Sequence, residues 1–157
     1  MAAITVQESI AAPPEEVFAV GTNIPAWAEV IPAITKIEML TEEPIGVGTR
    51  FIETRMMFGR EASETMEVAE FEPPSHYVLV AESHGCRYRT EIRFEAEGDG
   101  TRMSFNFNAQ PLTLFAKVMG FIMKPMMKKV VKLCAKDLQA LKERVESKGQ
   151  PSEAATV

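Results

Sequence analysis

Thr113–Glu146, TLFAKVMGFIMKPMMKKVVKLCAKDLQALKERVE, decides how the rest of the chain is read. Phe115, Met119, Ile122, Met123, Met126, Val130, Leu133, Cys134, Leu138 and Leu141 recur at three- and four-residue spacing, the period of one helix face. Lys124, Lys128, Lys132 and Lys136 sit four apart on the other side. Methionine is flexible and polarizable, so this stripe suits irregular apolar contacts. Pro125 falls inside the pattern; it removes a backbone hydrogen bond and clashes with the preceding turn, predicting a kink or break near Met123. Unbroken, the helix would run about 50 Å, too long for one small globule.

Everything before this helix is strand-rich. Ile4, Val6 and Ile10 alternate with Thr5, Gln7 and Ser9 in a first strand. Pro13-Pro14-Glu15-Glu16 opens a short helix to about Val20, because proline and acidic side chains suit a first turn, and Val17 and Phe18 face inward. Asn23 is a candidate cap for a second short helix, Pro25 to Val30, carrying Trp27. Six further strands are predicted: 34–40, 49–57, 61–71, 76–83, 86–95 and 101–109. Tight turns at Phe58-Gly59-Arg60, His84-Gly85 and Gly98-Asp99-Gly100 make the implied sheet antiparallel and curved. In the fifth of these six, Cys86, Tyr88, Thr90, Ile92 and Phe94 share the inner face. Met103, Phe105 and Phe107 do so in the last. Glu61 to Val68 is less regular: if Met66 and Val68 face inward, so does Glu64, and an inward carboxylate needs a partner or water.

The chain has 157 residues and a formal net charge of -5, enough for one domain with a core and no disulfide or metal support. From Leu112 onward there are nine Lys or Arg and four Asp or Glu, +5, leaving -10 before it. Overall acidity argues against a nucleic-acid partner; the lysine face is either solvated or a surface for anionic lipid or an acidic partner. Cys86 and Cys134 lack metal-ligand spacing, so neither a metal nor another cofactor is expected. MAAITVQESI shows no signal-peptide pattern and no apolar run approaches the ~20 residues of a membrane span, so a cytoplasmic location is expected. One domain is expected over residues 1–147, with a disordered tail at 148–157.

Several segments resemble one family. Ile10–Phe18 (IAAPPEEVF) is similar to the opening of START-like (SRPBCC, Bet v 1-like) proteins, and Trp27 followed by Ile31-Pro32-Ala33-Ile34 resembles their next segment. Gly46–Phe51 (GVGTRF) and Gly98–Met103 (GDGTRM) resemble their hairpin entries; Phe71-Glu72-Pro73-Pro74 and Asp137–Lys142 (DLQALK) match as well. As phosphate loops the two glycine motifs fail, since both precede strands. The resemblance, strongest to the polyketide cyclase/dehydratase-like branch, implies an α+β helix-grip fold. In it a seven-stranded curved antiparallel sheet, with two short helices after strand 1, grips a long C-terminal helix kinked near Pro125.

It also implies a cavity between sheet and helix that binds an apolar or amphipathic, lipid- or polyketide-like small molecule. The expected lining is Trp27, Met66, Tyr88, Thr90, Ile92, Phe105, Met119, Ile122, Met123 and Met126. The half-helix Phe115–Met123 is the expected lid, and Met126–Leu141 the seal of the core. Trp27 either sits at the cavity mouth or anchors the short helices; Tyr88 and Thr90 either bind ligand or form a core polar pair; Glu64 either faces in or is turned to solvent by a register shift. Two alternatives to binding stay open: a cyclase/dehydratase-type enzyme in which Glu64 or Tyr88 handles protons, and a module docking on a membrane or protein through the lysines. His84, beside Gly85, reads as a turn residue rather than a base.

Overall fold

The computed structural model describes residues 2–149. Seven strands, β1 (Ala2–Ile10), β2 (Ile34–Met39), β3 (Arg50–Met57), β4 (Arg60–Glu72), β5 (His76–Ser83), β6 (Cys86–Glu97) and β7 (Gly100–Pro111), form one antiparallel sheet in the order β1-β7-β6-β5-β4-β3-β2. Between β1 and β2 lie α1 (Pro14–Gly21), a 3-10 turn (Ile24–Ala26) and α2 (Trp27–Val30). The C-terminal helix is divided into α3 (Leu114–Ile122), a 3-10 turn (Lys124–Met126) and α4 (Met127–Gly149). This is the helix-grip arrangement, and the break falls where Pro125 interrupts the pattern. The tail expected from residue 148 falls, beyond Gly149, outside the described residues.

Two hairpins turn on residues with positive φ, Phe58-Gly59 and His84-Gly85. That pairing matches the right-handed twist of the flanking strands and needs a glycine in the second place. At Gly85 space enforces the same choice: a Cβ there would stand 2.8 Å from Thr113 Oγ1. Predicted strand ends differ from the observed ones by one or two residues, most visibly at β6 and β7, which extend to Glu97 and Pro111. Asn23 occupies the cap position of its turn but makes no side-chain capping bond. By contrast, Thr113 caps α3, accepting a 3.0 Å bond from the Ala116 N–H.

Packing is uneven along the concave face. At one end Phe18 stands against Phe71, Tyr77 and Phe94, with ring centroids 5.2–6.2 Å apart. Trp27 meets Phe51 edge-on at 5.5 Å. The Trp27 indole N–H and the Tyr77 hydroxyl both donate to the Gly21 carbonyl, which ends α1. A Cβ on Gly21 would press on the Phe94 ring at 3.1 Å, so α1 approaches the sheet this closely only through glycine. The far half of α4 closes this end with Leu138, Leu141 and Val145. Lys142 pairs with Glu8, and Glu146 accepts from the Ala11 N–H.

Candidate functional site

At the opposite end the sheet is uncovered. A register shift between Val68 and Glu70 lets both Val68 and Phe71 point inward. It lies beyond Met66 and Glu64, so these keep the inner parity expected of them, facing Phe51 and Glu53 of β3. Across the strands, Thr90 is paired with Leu79 and Phe107, and Tyr88 with Ala81 and Ala109. Leu79 is buried, whereas Thr90, Phe107, Tyr88, Ala81, Ala109, Glu64 and Ser83 are all partly exposed although they face the concave side. The Tyr88 and Phe107 rings stack at 5.7 Å. The result is a groove with an aromatic floor, open toward α3.

The groove is open because α3 stands away from the sheet. Its start is held at the β5–β6 turn, where the Leu112 N–H donates to the Gly85 carbonyl and Ala116 is the one buried residue of the helix. Met119, Ile122 and Met123, expected to close a cavity, are exposed, and Met126 is half-buried. Phe115 is exposed as well, so Phe115–Met123 forms no closed lid. Of the expected seal Met126–Leu141, only the C-terminal part, Leu138 and Leu141, is buried in the core, joined by Val145 just beyond it. Met119 and Met123 lie on the Ala116 side of the helix and so border the groove mouth.

The other expected lining residues divide by depth. Tyr88 and Thr90 face the groove, and Met66 and Phe105 form its inner border against the core. Ile92 lies beneath, buried, and Trp27 is buried behind Phe51 as an anchor of the short helices, not at a mouth. The alternative of Trp27 at the entrance therefore has no place in this structure.

Polar groups gather along one wall. Ser83 Oγ donates to Glu64 Oε2 at 3.1 Å. Burial, with Cys86 and Glu64 close by, pushes the Tyr88 hydroxyl up to about 12, so at neutral pH it is a neutral phenol able to donate and accept. Deeper, Arg55 reaches Glu53 at 2.5 Å and Asp137 of α4 at 2.9 Å. Burial raises the Glu53 and Asp137 carboxyls, opposed by Arg55. The same burial works against the charge on Arg55, but its two partners hold it above its ordinary value. Arg55 thus pairs with Glu53 and Asp137. Asp137 was the residue missed from sequence, and its signal is an acid set within the apolar stripe between Cys134 and Leu138.

Cys134 offers no activated nucleophile. Burial, reinforced by Asp137, pushes Cys134 up to about 11, and no disulfide forms. His84 lies in the left-handed region of its turn, and His76 faces Glu70 on the convex side at 3.5 Å. Among the described residues no three His, Cys, Asp or Glu side chains cluster as a metal site, and no helix is long and apolar enough to cross a membrane. A shallow, open depression is lined by Arg50, Thr65, Met66, Glu67, Val80, Ala81, Glu82 and Arg87, a mixture of charged and apolar side chains.

Residues 1–146 match the family described as polyketide cyclase / dehydrase and lipid transport. The chain belongs to that family. Its fold is also that of solved START and Bet v 1 relatives. A protein from Thermus thermophilus is 20% identical with a TM-score of 0.79, covering 95% of this chain and 100% of its own. The Zhui aromatase/cyclase from a Streptomyces species is 17% identical at TM-score 0.77, over 97% and 98%. A START superfamily protein from Mycobacterium smegmatis is 14% identical at TM-score 0.72, over 92% and 97%. At these identities the likeness is one of fold. No curated protein matches the chain.

Proposed function

We propose that this family member binds an apolar or amphipathic small molecule in the groove, with Tyr88, Ser83 and Glu64 as polar anchors. The observation carrying this reading is the partial exposure of inward-facing Tyr88, Thr90, Phe105 and Phe107, apolar surface left open beside a row of hydrogen-bonding groups. Such surface gains about 25 cal/mol for each Å² removed from water, and a few convergent polar groups set orientation. A ligand with a carbonyl or hydroxyl fits: the Tyr88 phenol donates to it and the Glu64 carboxylate accepts from it. The state of Tyr88 favours binding over proton abstraction, since a phenol held at about 12 is a poor base at neutral pH.

Displacement of a fluorescent fatty-acid probe measures this. Thr90→Trp should fill the groove and weaken probe binding by on the order of a hundredfold, the loss of a few kcal/mol of apolar contact. Tyr88→Phe should weaken a hydroxyl- or carbonyl-bearing ligand about three- to tenfold, one net hydrogen bond. Equal affinity in the wild type and Thr90→Trp would remove the groove as the site. Native mass spectrometry of freshly purified chain should show a bound apolar molecule. If the groove instead performs cyclase-type chemistry, Glu64→Gln and Tyr88→Phe would abolish turnover while altering affinity only modestly.

A further inference from the structure

We propose that α3 and the lysine-bearing start of α4 dock on an anionic phospholipid bilayer, with α3 lying in the headgroup region. This proposal stands independently of the groove ligand. Leu114, Phe115 and Phe121 are 79%, 73% and 78% exposed, and Val118 and Ile122 are exposed beside them. At 3.6 residues per turn, Leu114, Val118 and Phe121 point away from Ala116, the residue that faces the protein. Moving α3 down onto the groove would cover Met119 and Met123 but leave that outer face bare. An exposed apolar patch of this extent marks a contact surface.

The charge around the patch selects the partner. Residues 113–136 contain Lys117, Lys124, Lys128, Lys129, Lys132 and Lys136 and no Asp or Glu, a local +6 on a chain of net -5. All six lysines are exposed, and among the described residues none has a carboxylate in ion-pair range. A shallow notch lined by Phe121, Ile122, Lys124 and Pro125 places a cation directly beside apolar side chains. A second copy docking through this face would bring two such basic segments together. An anionic bilayer satisfies both properties, taking the apolar side chains below the headgroups and the ammonium groups among them.

Flotation of the full chain with vesicles tests this. With phosphatidylcholine mixed with phosphatidylglycerol the chain should float, with pure phosphatidylcholine far less, and added salt should weaken the binding. Reversing Lys124, Lys128, Lys129 and Lys132 to Glu should lower the partition by on the order of a hundredfold or more. Phe115→Ser with Phe121→Ser should lower it by a similar factor while leaving the unfolding midpoint unchanged, because both rings are already in solvent. Thr90→Trp should float like the wild type, so a failed groove reading leaves this one standing; loss of flotation in that variant would overturn it. The proposal also falls if the wild type does not float with the anionic vesicles, or if the double Phe variant floats undiminished. A dimer seen by sedimentation that the double Phe variant dissolves would give the face to a second copy and overturn it too.

Discussion

Arg55→Ala is expected to lower folding stability by about 3–5 kcal/mol at neutral pH, because it leaves the buried Glu53 and the half-buried Asp137 carboxylates without their cation. Glu53 is only 5% exposed, and Asp137 reaches Arg55 from α4, so the pair also ties helix to sheet. The pH dependence follows from the direction of the shifts. Burial already holds Glu53 and Asp137 above their ordinary values of 4.5 and 3.8 even with Arg55 present. A carboxyl raised on folding contributes its stability below the unfolded value and loses it as pH rises through the folded value. Arg55 lowers both groups, so removing it moves them further up. The deficit of the variant should therefore be largest at neutral pH and shrink as pH falls toward about 4.5. Urea unfolding of both proteins at several pH values measures the gap. A gap independent of pH would mean that Arg55 acts through the packing of its stem and not through its charge.

Phe51→Ala is expected to cost roughly 3–5 kcal/mol, the range for truncating a buried aromatic ring. Phe51 is 0% exposed and lies between Met39 of β2 and Met66 of β4 in register. For a chain of this length the unfolding midpoint should fall by roughly 10 °C. Trp27, the sole tryptophan, loses its edge-on partner, so its emission should move to the red in the folded state. A loss under about 1 kcal/mol with unchanged emission would indicate that neighbouring methionines refill the space.

These two residues show how far the sequence could be read. Phe51 lies in a strand the sequence located but whose inner face it did not mark, since Phe51 shares its parity with Glu53 and Arg55; parity did set Tyr88, Thr90 and Glu64 on the concave face. Side-chain alternation is a property of the local backbone, so it survives without knowledge of the fold. Pro125 was legible for the same reason. Asp137 was different. Its position within an apolar stripe is visible, but its partner lies 82 residues away on β3, and no local period reports that distance. Trp27 likewise offered two placements, and only the Phe51 edge and the Gly21 carbonyl decided between them.

The methionine-rich helix carries the sharpest division. By itself the sequence determined that an amphipathic helix, interrupted at Pro125, follows seven antiparallel strands, because hydrophobic periodicity and proline stereochemistry act over a few residues. Only the tertiary structure decided which part of that helix is gripped. Leu138, Leu141 and Val145 are buried, while the outer apolar side of α3 is exposed among the described residues. A stripe looks the same whether or not a sheet covers it. Its burial depends on where the β5–β6 turn and Thr113 set the start of the helix, and on how much of the concave face the short helices have already filled.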